Sequence, residues 1–428
     1  MNIDIHLEGV WQPCAELALR DAAKPHRYGP MTLRYEPDYA LKHLHSKDFQ
    51  AVSVRSPVDL AVHTFAAWPS FLIDLVPQGA ARKRLERASP PGLTDWELLE
   101  RGAVNPAGNL RVRPPQASAP RPHVGFALDE MIERGDAFVD YAYEVGATVA
   151  GSTDTQGEAP KFWVAQDRQG RWHPDNGQLG TDVHRYALLK FPVPEAGARA
   201  VDILRHEAAY QKVARAMNVR VTSELPEFID GALLIPRFDR RVESAGEIRL
   251  GVESVYSITG VLDSARAALR HDQVLIELHR CCTYFAEEVL EYFRRDVLNL
   301  ALGNRDNHGR NTAILKDTDG SIRLAPVFDL GPAYLDARAI VRVIRWDAEH
   351  GGSIDWSDVL ANLETRFEDA ALEPPDLTQI ADELRAFGRQ LTALPRTMRE
   401  CGVDESIVDA RRDNIDKLTG SLSTVCAP

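Results

Sequence analysis

Gly303-Asn304-Arg305-Asp306-Asn307-His308-Gly309-Arg310-Asn311, followed one hairpin pattern later by Phe328-Asp329, is the stretch on which the reading of this chain turns. It places an Asp, an Asn five positions on and a second Asp past the hairpin. ATP-dependent phosphoryl transfer needs that set. The first carboxylate accepts or orients the proton of the attacking hydroxyl, and the Asn and second Asp hold metal ions that bridge the phosphates. The pattern predicts a kinase. The competing reading is that Asp306, His308 and Asn311 cap and solvate a helix end, as most Asp and Asn residues beside glycine do. That explains one such residue well; three in this order, with Asp329 behind them, favour catalysis.

The flanks predict an exposed loop. Tyr284, Phe285, Val289, Leu290, Phe293, Val297, Leu298, Ala301 and Leu302 recur at helical spacing, so a long helix delivers the chain to Gly303, its C-terminal stop. Beyond Asn311, Thr312 to Leu315 reads as a strand, Asp317 to Gly320 as a tight turn and Ile322 to Phe328 as the return strand, a hairpin that folds Asn311 back beside Asp329.

A kinase must also grip a triphosphate. Gly151-Ser152-Thr153-Asp154-Thr155-Gln156-Gly157-Glu158-Ala159-Pro160-Lys161 is a Gly-bounded, hydroxyl-rich loop between strand-like 141–149 and 162–165. Such a loop can turn N–H groups toward phosphate, although it is not a Walker A sequence and alone would read as a hairpin tip. Lys190 follows in the otherwise apolar strand 186–191, where a buried lysine is expensive without an anion. Val201 to Met217 patterns as an amphipathic helix with Glu207 beside its apolar stripe. A strand lysine paired with a helix glutamate is how kinases fix the nucleotide; the plainer alternative is a strand-end lysine and a surface glutamate. Ala232 to Pro236, an apolar strand running into Arg237-Phe238-Asp239-Arg240, suits a connection between lobes whose backbone meets an adenine edge. Asp239 and Arg240 fit a structural ion pair equally well.

These elements predict an α+β, bilobal protein-kinase-like fold with a small β-rich N-terminal subdomain (1–115), a nucleotide-binding lobe (122–236) and a mostly helical C-terminal lobe (237–428). The linker is the Pro-rich run 113–122. Helices are expected at 379–392 and 405–418. With 428 residues, 44% hydrophobic, the chain can build more than one core. Five cysteines do not suggest a disulfide framework, and no Cys/His spacing suggests zinc. The N-terminus has neither a basic start nor a long apolar run, so neither export nor membrane insertion is indicated and the expected compartment is the cytoplasm. A net charge of -13 argues against direct contact with nucleic acid, since proteins that track phosphates are usually basic.

Pro160-Lys161, Leu189-Lys190-Phe191-Pro192, Arg237-Phe238-Asp239-Arg240, Gly303 to Asn311 and Ala325-Pro326-Val327-Phe328-Asp329, in that order, resemble the HipA family of serine/threonine kinase toxins from bacterial type II toxin–antitoxin systems. Leu33-Arg34-Tyr35, Phe71 to Pro77 and Asn105-Pro106-Ala107-Gly108-Asn109-Leu110 extend the resemblance to the N-terminal region. The resemblance implies Asp306 as catalytic carboxylate, Asn311 and Asp329 as Mg2+ ligands and Lys190 as the phosphate-binding lysine. It implies Lys161 as the loop lysine near ATP and the backbone at Arg237 and Phe238 as adenine hinge; the loop and helix, read from the residues themselves, add Glu207, Ser152 and Gly157 to the nucleotide site. It further implies a protein substrate, a translation factor such as an aminoacyl-tRNA synthetase, and a HipB-like DNA-binding antitoxin. Family members phosphorylate a serine of their own Gly-rich loop. Here the loop is longer than the family's Val-Ala-Gly-Ala-Gln-Glu-Lys form, Thr148 precedes Val149, and Ser152, Thr153 and Thr155 are all candidates, Ser152 foremost. A phosphate there adds roughly two negative charges where ATP must bind, so inhibition follows from repulsion.

Two other readings compete with a toxin kinase. A small-molecule phosphotransferase of the antibiotic-kinase type shares the Asp, Asn and Asp logic but needs neither the N-terminal region nor Arg237 to Arg240. A pseudokinase binding module has no physical reason to retain Lys190, Asp306, Asn311 and Asp329 together.

Overall fold

Two tight turns show why the chain makes sheets where it does. Glu8-Gly9 and Asp230-Gly231 both have positive φ (52° and 79°; 46° and 89°), the backbone that two-residue hairpins require and that glycine adopts without strain. The first joins β1 (Asn2–Leu7) to β2 (Val10–Leu19). The second joins β9 (Glu227–Ile229) to β10 (Ala232–Pro236). The computed structural model describes the chain except residues 78, 88–91, 104, 114–123, 134–137, 139–141, 143–160, 176–178, 180–181, 193–196, 245, 263–267 and 337–339. It resolves into two compact units, one of Met1–Ala196, Glu227–Ser264 and Ala313–Ser321, the other of Gly197–Pro226, Ala265–Thr312 and Ile322–Pro428.

The first unit holds two five-stranded antiparallel sheets. The N-terminal one has the order β4-β3-β2-β1-β5, with β3 Met31–Tyr35, β4 Val62–Phe65 and β5 Leu110–Val112. Its period-two residues Ile3, Ile5, Leu17, Met31 and Leu33 are wholly buried and pack with Leu72, Leu98 and Leu99. The second has the order β7-β6-β8-β10-β9, with β6 Lys161–Asp167, β7 Trp172–Pro174 and β8 Val183–Lys190. One face, Phe162, Val164, Ala187, Leu189, Ala232 and Leu234, packs on Phe126, Met131 and Phe138. Lys161, Trp163, Leu188, Lys190, Leu233 and Ile235 occupy the alternate positions. Arg240–Glu243 (β11) pairs with Gly246–Arg249 (β12), and Gly251–Ser254 (β13) with Ala313–Lys316 (β14). The turn after β14 closes through the Ser321 carbonyl, which accepts from the Asp317 N–H at 2.9 Å.

The helical unit is organised around Phe285–Leu302. Its buried stripe, Val289, Phe293, Val297, Leu298, Ala301 and Leu302, follows the expected period. Helices Leu377–Leu391 and Glu405–Ser423 pack on it and on each other. Gly388 permits the second contact: a Cβ there would lie 2.8 Å from Leu422 Cβ. The remaining helices include Gly197–Ala216, His271–Cys281, Trp356–Asp369 and Leu394–Glu400, and β15 (Ile322–Leu324) continues the chain toward Phe328. Among the described residues no helix is long and apolar enough to cross a membrane.

The stretch Arg237 to Arg240 is a buried ionic knot. Arg237 donates twice to Asp239, at 2.8 and 2.7 Å, and once to Asp175 at 2.8 Å. Arg240 Nη1 and the Gly108 N–H reach the same Asp239 oxygen, at 2.7 and 2.8 Å. Burial alone would raise the Asp239 carboxyl, yet Arg237, Arg240 and their hydrogen bonds hold it far below the usual carboxylate range. Burial, with repulsion from Arg237 and Arg249, pushes Arg240 down to about 9. The ion pair that the sequence left open is therefore present. Removing one partner strands buried charge, so Asp239→Ala should lower stability by about 3–5 kcal/mol. Urea denaturation measures this, and a loss below about 1 kcal/mol, the level of an exposed pair, would contradict the burial argument.

Candidate active site

The C-terminal end of the Phe285–Leu302 helix must satisfy four carbonyls. Asn299 accepts from the Asn304 N–H at 2.9 Å. Leu300 accepts from Arg411 Nη2 at 3.2 Å and Asn414 Nδ2 at 2.7 Å, Ala301 from Arg411 Nε at 3.1 Å, and Leu302 from the Tyr210 hydroxyl at 3.1 Å. Gly303 turns the chain with φ 73°, and a Cβ there would meet Tyr334 Cδ1 at 2.9 Å and Arg411 Cζ at 3.0 Å. Glycine is required both for conformation and for space.

The loop beyond Gly303 bonds to itself. The Asp306 N–H donates to Asn304 Oδ1 at 3.3 Å, and Asn304 Nδ2 to Asn299 Oδ1 at 2.9 Å. Asn311 Nδ2 donates to the Asp306 carbonyl at 2.8 Å, and the Asn311 N–H to the His308 carbonyl at 2.9 Å. His308 Nε2 lies 3.4 Å from Asp306 Oδ1. Asp306 and Asn311 are thus brought together on one short loop. Asn307 clamps a second segment, accepting from the Val343 N–H and donating to the Ile344 carbonyl, both at 3.0 Å.

Asp329 is held from another direction. The Val327 N–H donates to the Arg220 carbonyl at 2.8 Å, and Gln211 Nε2 to the Val327 carbonyl at 3.2 Å. Arg220 is anchored on the central helix through Glu288, at 2.8 and 2.9 Å, and its N–H donates to Glu291 at 2.9 Å. Asp329 itself has φ 54°, a left-handed conformation that Asp tolerates better than most residues and that disfavours branched side chains. Gly331, two residues on, lies against Glu207, whose Cβ is 3.8 Å from the Cβ position of the glycine. Glu207 is only 4% exposed, so it is a buried acid and not the surface glutamate of the alternative reading.

In the sheet unit Lys161 and Lys190 are direct cross-strand partners on β6 and β8. Direct antiparallel partners share a face with Cβ atoms roughly 5 Å apart, so the two lysine side chains leave the sheet side by side on one face. Lys190 is 9% exposed and Lys161 half-buried. Phe238 is half-buried, and the Arg237 N–H donates to the Tyr186 carbonyl at 3.1 Å, so that donor serves the sheet. Ser152, Thr153, Thr155 and Gly157 lie outside the described residues. Among the described residues no group of three or more His, Cys, Asp and Glu is arranged to hold a metal.

The HipA-like C-terminal domain family matches residues 153–391, more than half of the 428. The chain belongs to the HipA-like kinase family. Within the match fall Lys161, Lys190, Glu207, Asp306, Asn311 and Asp329. The HipA-like chain is 27% identical over 164 residues to Y4mE of Sinorhizobium fredii, a protein named as a kinase; the match spans 37% of this chain and 37% of that protein. It superposes on a chain of the Shewanella oneidensis MR-1 complex of HipA, HipB and operator DNA with a TM-score of 0.65 and 16% identity, covering 99% of this chain and 97% of that one. The α+β, protein-kinase-like fold expected from the sequence is thereby shown.

Tyr210, Gln211, Arg411 and Asn414 escaped the sequence reading. Tyr210 and Gln211 do lie on the same helix as Glu207, the former three positions on, which is a recoverable signal. Arg411 and Asn414 carry no local signal, because their partners lie more than a hundred positions away. Arg411→Met keeps the side-chain stem and removes the donors, and should lower stability by about 1.5–3 kcal/mol; Tyr210→Phe should lower it by about 1 kcal/mol. Urea denaturation at wild-type stability for both would show that these caps contribute nothing.

The segment clamped by Asn307 also reaches Asp272, whose Oδ2 accepts from the Asp347 N–H at 2.9 Å. Burial, opposed by that bond and reinforced by the Asp347 charge, pushes the Asp272 carboxyl up to about 6. The folded chain then binds a proton that the unfolded chain has released, so this group removes stability as pH rises from about 4 to 6. Asp272→Asn should leave stability nearly unchanged at pH 4 and raise it by about 2–3 kcal/mol at pH 7.5. Denaturation at the two pH values measures the difference, and an equal effect at both would contradict the assignment.

Proposed function

We propose that this chain is an ATP- and Mg2+-dependent serine/threonine protein kinase of the HipA type. The carrying observation is the Asp306–Asn311 pair. With Nδ2 committed to the Asp306 carbonyl, the Asn311 amide presents Oδ1 as its remaining acceptor. That oxygen and the Asp329 carboxylate make a hard, sparse donor set, which suits a magnesium ion that keeps water and phosphate oxygens in its shell. Bound Mg-ATP supplies the transferable phosphoryl group and the charge that neutralises it.

The residues divide the work accordingly. Lys161 and Lys190, side by side on one sheet face, hold phosphates; Glu207, Ser152, Gly157 and the backbone at Arg237 and Phe238 complete the nucleotide site. Asp306 orients the substrate hydroxyl and takes its proton. The substrate is a protein, by family likeness a translation factor such as an aminoacyl-tRNA synthetase. Ser152, with Thr153 and Thr155 as neighbours, is the autophosphorylation site. The Shewanella relative was solved with HipB and operator DNA, which supports a HipB-like antitoxin as partner here. We place the protein in the cytoplasm, with 1–115, 122–236 and 237–428 as its functional divisions.

Asp306→Asn should reduce phosphate transfer by about 10²–10⁴-fold and leave Mg-ATP affinity unchanged by calorimetry, because both metal ligands remain. Asp329→Asn should weaken affinity only when Mg2+ is present. Loss of nucleotide binding equal to the loss of transfer in the first variant would remove Asp306 from its catalytic role. Labelled phosphate on an aminoglycoside panel and not on extract proteins would replace a protein kinase with a small-molecule phosphotransferase.

A further inference from the structure

Asn307 directly follows Asp306, and the Asp, Asn and Asp pattern makes no use of it. Its half-buried side-chain amide makes both of its bonds to one neighbouring segment. Oδ1 accepts from the Val343 N–H and Nδ2 donates to the Ile344 carbonyl, each at 3.0 Å. A primary amide can accept and donate at once. A carboxylate in its place would turn an oxygen toward the Ile344 carbonyl, and an aliphatic side chain would offer neither group.

The segment that Asn307 grips is itself anchored. Within 340–346 the side chains alternate: Ile340, Ile344 and Trp346 are buried, Val341 and Val343 exposed. Arg342 donates to both Asp296 oxygens at 2.9 Å and to Glu349 at 2.5 Å. Trp346 donates its indole N–H to Asp296 at 2.8 Å and stacks on Phe293, with ring centres 4.9 Å apart. Phe293 and Asp296 belong to the Phe285–Leu302 helix, the one that ends at Gly303. The loop is therefore tied to that helix twice, at Gly303 through the capped carbonyls and at Asn307 through a segment fixed on the middle of the helix.

Asp306 lies between the two ties. Its own N–H reaches Asn304 Oδ1 at 3.3 Å, beyond the roughly 2.7–3.2 Å of a good N–H to oxygen bond. The helix end alone thus holds the Asp306 peptide weakly, and the paired 3.0 Å bonds of the next residue supply a firmer hold. We infer that Asn307 is a positioning residue for the transfer proposed above. By tying the residue after Asp306 to the backbone of Val343 and Ile344, it fixes the direction from which the Asp306 carboxylate meets the substrate hydroxyl. Its amide is spent on those two bonds, so it acts through Asp306 and not on the reactants. The inference rests on the kinase reading and adds to it a residue that the phosphotransfer pattern does not assign.

The test is the maximal rate, and the half-saturating Mg-ATP, for transfer of labelled phosphate to protein, the full chain itself and added extract proteins together. A displacement of about 1 Å at a reacting group can cost about 10²-fold. Asn307→Ala should lower the maximal rate by about 10–100-fold and leave half-saturating Mg-ATP unchanged. Asn307→Asp, which keeps the acceptor for Val343 and lacks the donor for Ile344, should fall between it and wild type. In an Asp306→Asn background, Asn307→Ala should cost nothing further, because the group it positions is gone. The same fold-loss in both backgrounds is what a purely structural loop residue would give, and it overturns the inference. So does Asn307→Ala at the wild-type rate, or a loss of rate no larger than the fraction of that variant found unfolded by circular dichroism. A wild-type chain that transfers no phosphate overturns the kinase reading beneath, and the inference with it.

Discussion

A helix that ends inside a protein must find donors for its last four carbonyls, and the end of Phe285–Leu302 finds them in three separate parts of the chain. Asn304 supplies one from the loop itself, Tyr210 one from the Gly197–Ala216 helix, and Arg411 with Asn414 the rest from the C-terminal helix. Those donors fix where Gly303 turns, and hence where Asp306 and Asn311 stand. The same Gly197–Ala216 helix holds the Val327 carbonyl through Gln211 and brings Glu207 against Gly331. A single helix thus positions both the loop with Asp306 and the segment with Asp329.

The sheet unit solves its own problem by a comparable route. Arg237 is fully buried, and its charge is tolerable because Asp239 and Asp175 surround it. The knot also reaches the N-terminal segment through Gly108, so the strand end that precedes Phe238 is braced by residues far away in sequence. A rigid guanidinium is then available as a stacking surface for Trp163. Polar groups in this chain serve mainly to fix side-chain directions near the proposed site, while burial of Val, Leu, Ile and Phe supplies the cohesion.

What was legible in the sequence was local. The helix over Phe285 to Leu302, its glycine stop, the turn at Asp317 to Gly320 and the strands around Lys161 and Lys190 all follow from patterns within about twenty residues, and the structure places them within a few positions of expectation. The sequence pattern carries the return strand to Phe328, whereas the strand ends at Leu324, because Pro326 cannot continue a ladder and Val327 bonds instead to Arg220. What was not legible depends on register and long-range contact. That Lys161 stands directly opposite Lys190 follows from how β6 pairs with β8, and that Trp163 shares their face follows from the same register. Asp239 and Arg240 could be read either as an ion pair or as chemistry, and only the fold, by burying them together with Arg237, decides for the ion pair.

The central claim is that these groups transfer phosphate from Mg-ATP to a protein hydroxyl with Asp306 as the catalytic carboxylate. Intact-mass and peptide mass spectrometry of the purified chain incubated with Mg-ATP, beside Asp306→Asn, tests it most directly. The account predicts a phosphate on the peptide that contains Ser152, Thr153 and Thr155 in the wild-type chain and none in the variant. Equal phosphate on both chains, or none on either with no ADP formed in the presence of extract proteins, would contradict it.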